Sequence, residues 1–157
     1  MIQHPPFPLE GYRLRVGTRR DRAKLVQFMA LAYDEQGHHC SPQALTETVN
    51  THYANNAPLW WVVPQAESTE IACLWLGNVL DPHQGDRYGC ILLLYVAPAQ
   101  RRRGIATALL RHAQDWAIAR GDQQLGLQVF ADNAAAQALY QKLGYVTTAL
   151  WMTQPLQ

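Results

Sequence analysis

The stretch that most constrains this chain is Leu92–Ala106, Leu-Leu-Leu-Tyr-Val-Ala-Pro-Ala-Gln-Arg-Arg-Arg-Gly-Ile-Ala, which continues into Thr107-Ala-Leu-Leu-Arg-His-Ala-Gln-Asp-Trp-Ala. A β-rich apolar run ends near Pro98, a basic turn follows, and from Gly104 the apolar residues recur at helical spacing. The pattern predicts strand, turn and helix N-terminus. The first turn of a helix has backbone N–H groups without intrahelical partners and lies at the positive end of the peptide dipoles, so an anion is its natural guest. Gly104 and Ala106 keep side-chain bulk away from those N–H groups, while Arg101, Arg102 and Arg103 add positive charge. A phosphate is the expected occupant. The P-loop pattern G-x-x-x-x-G-K-[ST] and the dinucleotide pattern G-x-G-x-x-G are both missing around Gly104.

What the turn does contain is Arg101-x-x-Gly104-x-Ala106 after a strand, which resembles the pyrophosphate loop of the GCN5-related N-acetyltransferases. A second stretch, Leu125–Tyr145, carries Asn133, Ala136, Leu139, Tyr140, Gly144 and Tyr145 in register with that family's Asn-x-x-Ala-x-x-Leu-Tyr-x-x-x-Gly-Tyr/Phe motif. This half is also similar to the ribosomal-protein N-terminal acetyltransferases. The bland reading of each piece is an ordinary basic turn and an ordinary amphipathic helix; the two together in register favour the family.

The rest of the chain is read from periodicity and punctuation. Residues 1–10 are proline-rich and read as an irregular arm, with 11–157 as a single domain. Tyr12–Gly17 alternates as a short strand. Thr18-Arg-Arg-Asp21 forms a capping pattern ahead of Leu25, Phe28, Met29, Ala32 and Tyr33 at helical spacing, with Gly37 as the stop. Ser41-Pro42 starts a second helix bearing Leu45, Val49 and His52. Leu59–Val63, Ile71–Leu80 and Tyr88–Val96 form an antiparallel meander; Gly104–Arg120 is a helix stopped by Gly121, Leu125–Phe130 a strand, Asn133–Leu143 a helix stopped by Gly144, and Tyr145–Met152 a final strand. The order β-α-α-β-β-β-α-β-α-β predicts an α+β protein, an α/β/α sandwich, and resembles the acyl-CoA N-acyltransferase fold with its mixed, mainly antiparallel, splayed sheet and helices on both faces.

The resemblance implies a site and a reaction. The strand Tyr88–Val96 and the strand after the long helix would splay apart, and the pantetheine arm of acetyl-CoA would lie between them, paired with the backbone of Leu94, Tyr95 and Val96. The pyrophosphate would sit on Arg101, Arg102, Arg103, Gly104, Ile105, Ala106 and Thr107. Asn133 would bond to the arm as well as capping its helix. A primary amine would attack the thioester directly in a ternary complex, through a tetrahedral oxyanion, and Tyr140 would protonate the departing thiolate as general acid. Core packing is the plain alternative role for Tyr140.

The family's base positions are empty of bases. Leu92 stands where many members carry an acidic residue on the fourth strand, with Leu93 beside it, and Gln128 stands where the ribosomal-protein enzymes carry glutamate; none of the three takes up a proton. Substitutes are Asp34, Glu35, His38 and His39 after the first helix, or Asp81, His83, Asp86 and Tyr88 before the fourth strand. A water chain without a dedicated base serves equally well for an amine of modest pKa. The Asp34-Glu-x-x-His-His-Cys run matches no metal-ligand spacing. Specificity segments are mixed: Asp34, Glu35 and Glu47 could draw in a cation, and Trp60, Trp61, Trp75 and Trp151 could line a pocket or fill the core.

Composition narrows the function classes. Thirteen Lys and Arg balance twelve Asp and Glu, which argues against nucleic acid as partner, and no apolar run approaches the ~20 residues of a membrane span. Cys40, Cys73 and Cys90 are odd in number and widely spaced, so reduced thiols are expected, together with a cytoplasmic location. The expectation is an acetyl-CoA-dependent N-acetyltransferase acting on a small-molecule amine or a peptide or protein amino group, without a metal, with a homodimer compatible with all of this. A catalytically poor acyl-CoA-binding sensor domain of the same fold is the alternative.

Overall fold

Five consecutive apolar residues in Leu59–Val63 are too many for a strand with one wet face, and all five are buried because the sheet is covered on both sides. The computed structural model describes residues 6–157. Its elements are β1 (Tyr12–Val16), α1 (Arg22–Glu35), α2 (Pro42–His52), β2 (Leu59–Pro64), β3 (Ala72–Leu80), β4 (Arg87–Val96), α3 (Ile105–Arg120), β5 (Leu125–Leu127) and α4 (Ala134–Lys142), with short 3-10 turns at Arg19–Asp21 and Pro98–Gln100. Of the proline-rich arm, residues 1–5 lie outside the described residues, and the following residues up to Glu10 carry no helix or strand.

The five strands lie in sequence order, β1-β2-β3-β4-β5, antiparallel except for the last pair. Alternation along the strands sends successive side chains to two separate cores. Trp60, Val62, Ala72, Leu74, Leu76 and Ile91 meet Ile105, Leu109, Leu110 and Ala113 of α3. On the other face Leu59, Trp61, Cys73, Trp75, Leu93 and Tyr95 meet Leu25 and Met29 of α1 and Leu45 and Val49 of α2. Local sequence sets the helix ends as expected. Thr18 and Asp21 form a capping box, the Ser41 hydroxyl accepts from the Ala44 N–H, and Gly121 ends α3 with φ 88°.

Two irregularities shape the middle of the sheet. The β3–β4 register passes from Trp75↔Leu93 to Leu76↔Ile91, so Leu92 is the additional residue of a β-bulge. Its side chain lies where a Cβ on residue 77 would be, 2.7 Å from Leu92 Cδ1, which is why Gly77 stands opposite. On the other side, β4 and β5 are parallel and pair only over Gly89↔Leu125, Cys90↔Gly126 and Ile91↔Leu127. Beyond that point they separate.

The C-terminal part differs from expectation. The strand expected over Leu125–Phe130 is three residues long, because its partner β4 turns away after Ile91 at the bulge. The final strand expected over Tyr145–Met152 joins no ladder. Alternation makes a segment fit to be a strand, but a strand exists only beside another backbone. No described segment of this chain lies beside the outer edge of β5.

Candidate active site

The separation of β4 from β5 leaves Leu92–Val96 without a neighbouring strand on that side among the described residues, so the backbone of Leu94, Tyr95 and Val96 faces a gap. The gap ends at the turn that leads into α3. There Arg102 holds φ 62°, uncommon outside glycine, and Gly104 is the N-cap of α3 with φ 82°. Among the described residues no side chain caps this helix, and the nearest atom to a Cβ built on Gly104 is Leu9 Cδ1 at 4.0 Å. The first-turn N–H groups, including those of Ala106 and Thr107, have no partner within the helix. Ile105 is buried and anchors the turn to the sheet, while Arg102 and Arg103 are exposed.

Arg101 is placed differently from its two neighbours. Its Nε donates to the Val96 carbonyl at 2.9 Å and its Nη2 to both Glu35 carboxylate oxygens, at 2.6 and 2.8 Å. The guanidinium also lies 5.7 Å from the centroid of the Tyr95 ring, and the Tyr95 hydroxyl donates to Glu35 at 3.4 Å. Burial, then the Glu35 charge, push the Tyr95 phenol above its usual range. This cluster ties the end of α1 to the end of β4. Residues 60 or more positions apart meet in it, and no local pattern could have announced it.

On the far side of the gap, Asn133 is the N-cap of α4, its Oδ1 accepting from the Ala136 N–H at 3.2 Å. That leaves the Nδ2 amide as its donor. Tyr140, one face of α4 further on, is half-buried against the α3-side core and stacks edge-on with Tyr145 at 5.7 Å. Burial raises the pKa of Tyr140 and, with Tyr140 alongside, raises that of Tyr145 to about 12, so both phenols stay protonated through neutrality.

The candidate bases separate by position. Leu92 and Leu93 pack at the bulge, and Gln128 is exposed just past β5. Asp81, His83, Asp86 and Tyr88 sit at the start of β4, where Asp81 accepts from the His83 N–H at 2.8 Å. The gap opens at Leu92, four residues beyond Tyr88 on the same strand, roughly 13 Å at ~3.3 Å per residue. His38 is different. Its ring stacks on Phe130 at 4.0 Å and 19°, Tyr33 meets the same Phe130 ring edge-on at 5.8 Å, and its Nε2 is buried with no hydrogen-bond partner among the described residues. The end of α1 thus covers the chain leaving β5, and brings an imidazole there. Its neighbour His39 pairs instead with Asp34 at 3.0 Å on the surface. Among the described residues no group of three His, Cys, Asp or Glu side chains could hold a metal. Trp60, Trp61 and Trp75 are core residues, whereas Trp151 is 85% exposed.

Comparison with known proteins settles the family. The model of the acetyltransferase (GNAT) family matches residues 24–145. The chain belongs to that family. Among similar proteins, an acetyltransferase of Sodalis glossinidius is 38% identical over 76 residues, covering 48% of this chain and 53% of that protein. The chloroplastic GCN5-related N-acetyltransferase 6 of Arabidopsis thaliana is 45% identical over 60 residues, 38% of this chain and 21% of the plant protein. The chain thus spans about half or less of these two relatives. A solved acetyltransferase structure from Clostridium acetobutylicum, obtained with acetyl-CoA, superposes with a TM-score of 0.76 at 22% identity, covering 92% of this chain and 96% of that one. An acetyltransferase structure from Pyrococcus furiosus gives 0.73 at 24%, covering 92% and 99%. The acyl-CoA N-acyltransferase fold is therefore the fold of this chain.

Proposed function

We propose that residues 11–157 are one N-acetyltransferase domain that transfers an acetyl group from acetyl-CoA to a primary amine by direct attack in a ternary complex. The observation that carries this is the gap between β4 and β5 opening onto the uncapped N-terminus of α3. Its features suit acetyl-CoA: a free backbone edge for an amide-bearing arm, and open N–H groups beside Gly104 for a pyrophosphate.

The bound thioester supplies an activated acetyl group; this chain's residues do the rest. The N–H groups of Ile105, Ala106 and Thr107 receive the pyrophosphate, with Arg102 and Arg103 adding charge. Arg101 acts mainly by fixing the turn to Val96 and Glu35. Leu94 and Val96 align the arm, and the Asn133 Nδ2 amide donates to it. The Tyr140 hydroxyl, held protonated by burial, gives its proton to the departing sulfur. His38, buried at Nε2 and unpartnered, takes the proton from the attacking amine. The acceptor enters past the ends of α1 and α2. A small-molecule amine is the favoured class, in keeping with the mycothiol acetyltransferase of Beutenbergia cavernae, which is 35% identical over 92 residues. A peptide amino group is the second. A cytoplasmic setting fits a protein that uses acetyl-CoA.

The test is incubation with acetyl-CoA and a panel of amines while free thiol is followed. Thiol release that depends on the amine is expected, and His38→Gln should lower kcat by ~10–10²-fold with the KM for acetyl-CoA unchanged. Tight acetyl-CoA binding with no release on any amine would replace the enzyme by an acyl-CoA sensor domain.

A further inference from the structure

The segment after α4 has the composition of a strand but belongs to no sheet. Gly144 turns the backbone out of α4 with φ 93°, and the Tyr145 N–H closes the helix on the Tyr140 carbonyl at 3.0 Å. From Val146 onward every residue is exposed, including Val146 at 78%, Leu150 at 81%, Trp151 at 85% and Met152 at 86%. Such a run of large apolar side chains in water marks an interaction surface. Its composition suits a strand. Alternation puts Tyr145, Thr147, Ala149 and Trp151 on one face and Val146, Thr148, Leu150 and Met152 on the other. Both faces are apolar, as in a strand covered on both sides, and this sheet has helices on both sides.

The same chain holds a sheet edge in need of such a strand. β5 ends the sheet, with no strand beside its outer edge among the described residues. Leu125, Leu127 and Leu139 next to it are only half-buried, Val129 and Phe130 are 37% and 39% exposed, and α4 buries no residue. A donor strand without an acceptor and an acceptor edge without a donor therefore coexist in one chain, and the segment does not lie on its own edge.

We propose that Tyr145–Met152 is exchanged between two copies of this chain, each laying the segment along β5 and against α4 of the other. The arrangement is self-complementary, closes with two-fold symmetry, and leaves neither edge nor segment exposed. The partner's strand then packs beside the helix that carries Asn133 and Tyr140, so assembly and site share an element. The proposal stands whether or not the chain transfers acetyl groups.

The full chain is examined by sedimentation equilibrium, where a dimer is expected. The double variant Leu150→Asp, Trp151→Asp should weaken the dimer by ~10²-fold or more while circular dichroism stays native, since the buried core does not extend past Ala117. To separate exchange from docking on the same chain, Gln128→Cys and Thr148→Cys are combined in a Cys40→Ser background and oxidised. Exchange gives a covalent dimer on a non-reducing gel. A monomeric wild type at tens of micromolar, an internal disulfide in a monomer, or a dimer unmoved by the aspartates overturns the proposal.

Discussion

The stretch from Tyr12 to Ala117 supplies nearly every residue of both cores, whereas none of residues 118–157 is buried. The first stretch is a four-stranded antiparallel platform with three helices; the second is β5, α4 and the exposed C-terminal segment. The two halves of the proposed site fall on opposite sides of this division. The loop Arg101–Thr107 is fastened to the platform through buried Ile105 and the Arg101–Val96 bond, while Asn133 and Tyr140 ride on a helix with no buried residue. A change on the platform should therefore act first on stability, and a change on α4 first on chemistry or assembly.

The largest expected effect tests the α4 side. Tyr140→Phe keeps the ring and its contact with Tyr145 but removes the hydroxyl, so kcat should fall by ~10²–10⁴-fold with the unfolding midpoint and acetyl-CoA affinity nearly unchanged. Activity within threefold of wild type on the best amine found would return Tyr140 to a packing role.

Next comes a matched pair of truncations. Leu74 is fully buried between β2, β4 and α3, and Leu74→Ala should cost about 2–5 kcal/mol in urea unfolding. Leu139 on α4 is half-buried, and Leu139→Ala should cost under about 1 kcal/mol in the monomer. Equal losses at the two positions would break the contrast between the regions.

At the proposed pyrophosphate turn, Gly104→Glu sets bulk, a like charge and a strained φ where the N–H groups open. Calorimetry should show acetyl-CoA affinity reduced by ~10²-fold, on the order of 3 kcal/mol, in a protein that still folds. Unchanged affinity would remove this turn from the binding site.

The same division explains what the sequence made legible. Platform strands and helices announce themselves through local rules: the Thr18–Asp21 capping box, Ser41-Pro42, and glycines at 104 and 121 where φ is positive. The turn into α3 was readable for the same reason, since its positive-φ glycine and the helix start are adjacent in the chain. What was hidden depends on distant partners. Nothing near His38 reveals that Phe130 will stack on it, and nothing near Arg101 reveals Glu35. The segment Tyr145–Met152 has every local property of a strand, yet strand formation depends on a backbone edge that its own fold does not bring to it.

The smallest effect concerns the junction of the two regions. Asp122, in the turn between α3 and β5, accepts from the Gly89 N–H of β4 at 2.7 Å and pairs with Arg120 at 2.6 Å. Burial works against its charge, but the Arg120 and Gly89 bonds prevail and hold its pKa below the ordinary carboxylate value. A carboxyl depressed in the folded state favours folding wherever it is ionised in the unfolded chain, and that contribution is lost as pH falls through the folded value. Asp122→Asn keeps an acceptor for Gly89 but removes the charge, so it should cost about 1 kcal/mol near neutrality. The gap between wild type and variant should stay constant from pH ~8 to ~5 and close as pH drops below ~4. Urea unfolding of both proteins across that range measures it. A gap that widens on acidification would mean that Asp122 is not held ionised by this junction, and that β5 is joined to the platform by its three-residue ladder alone.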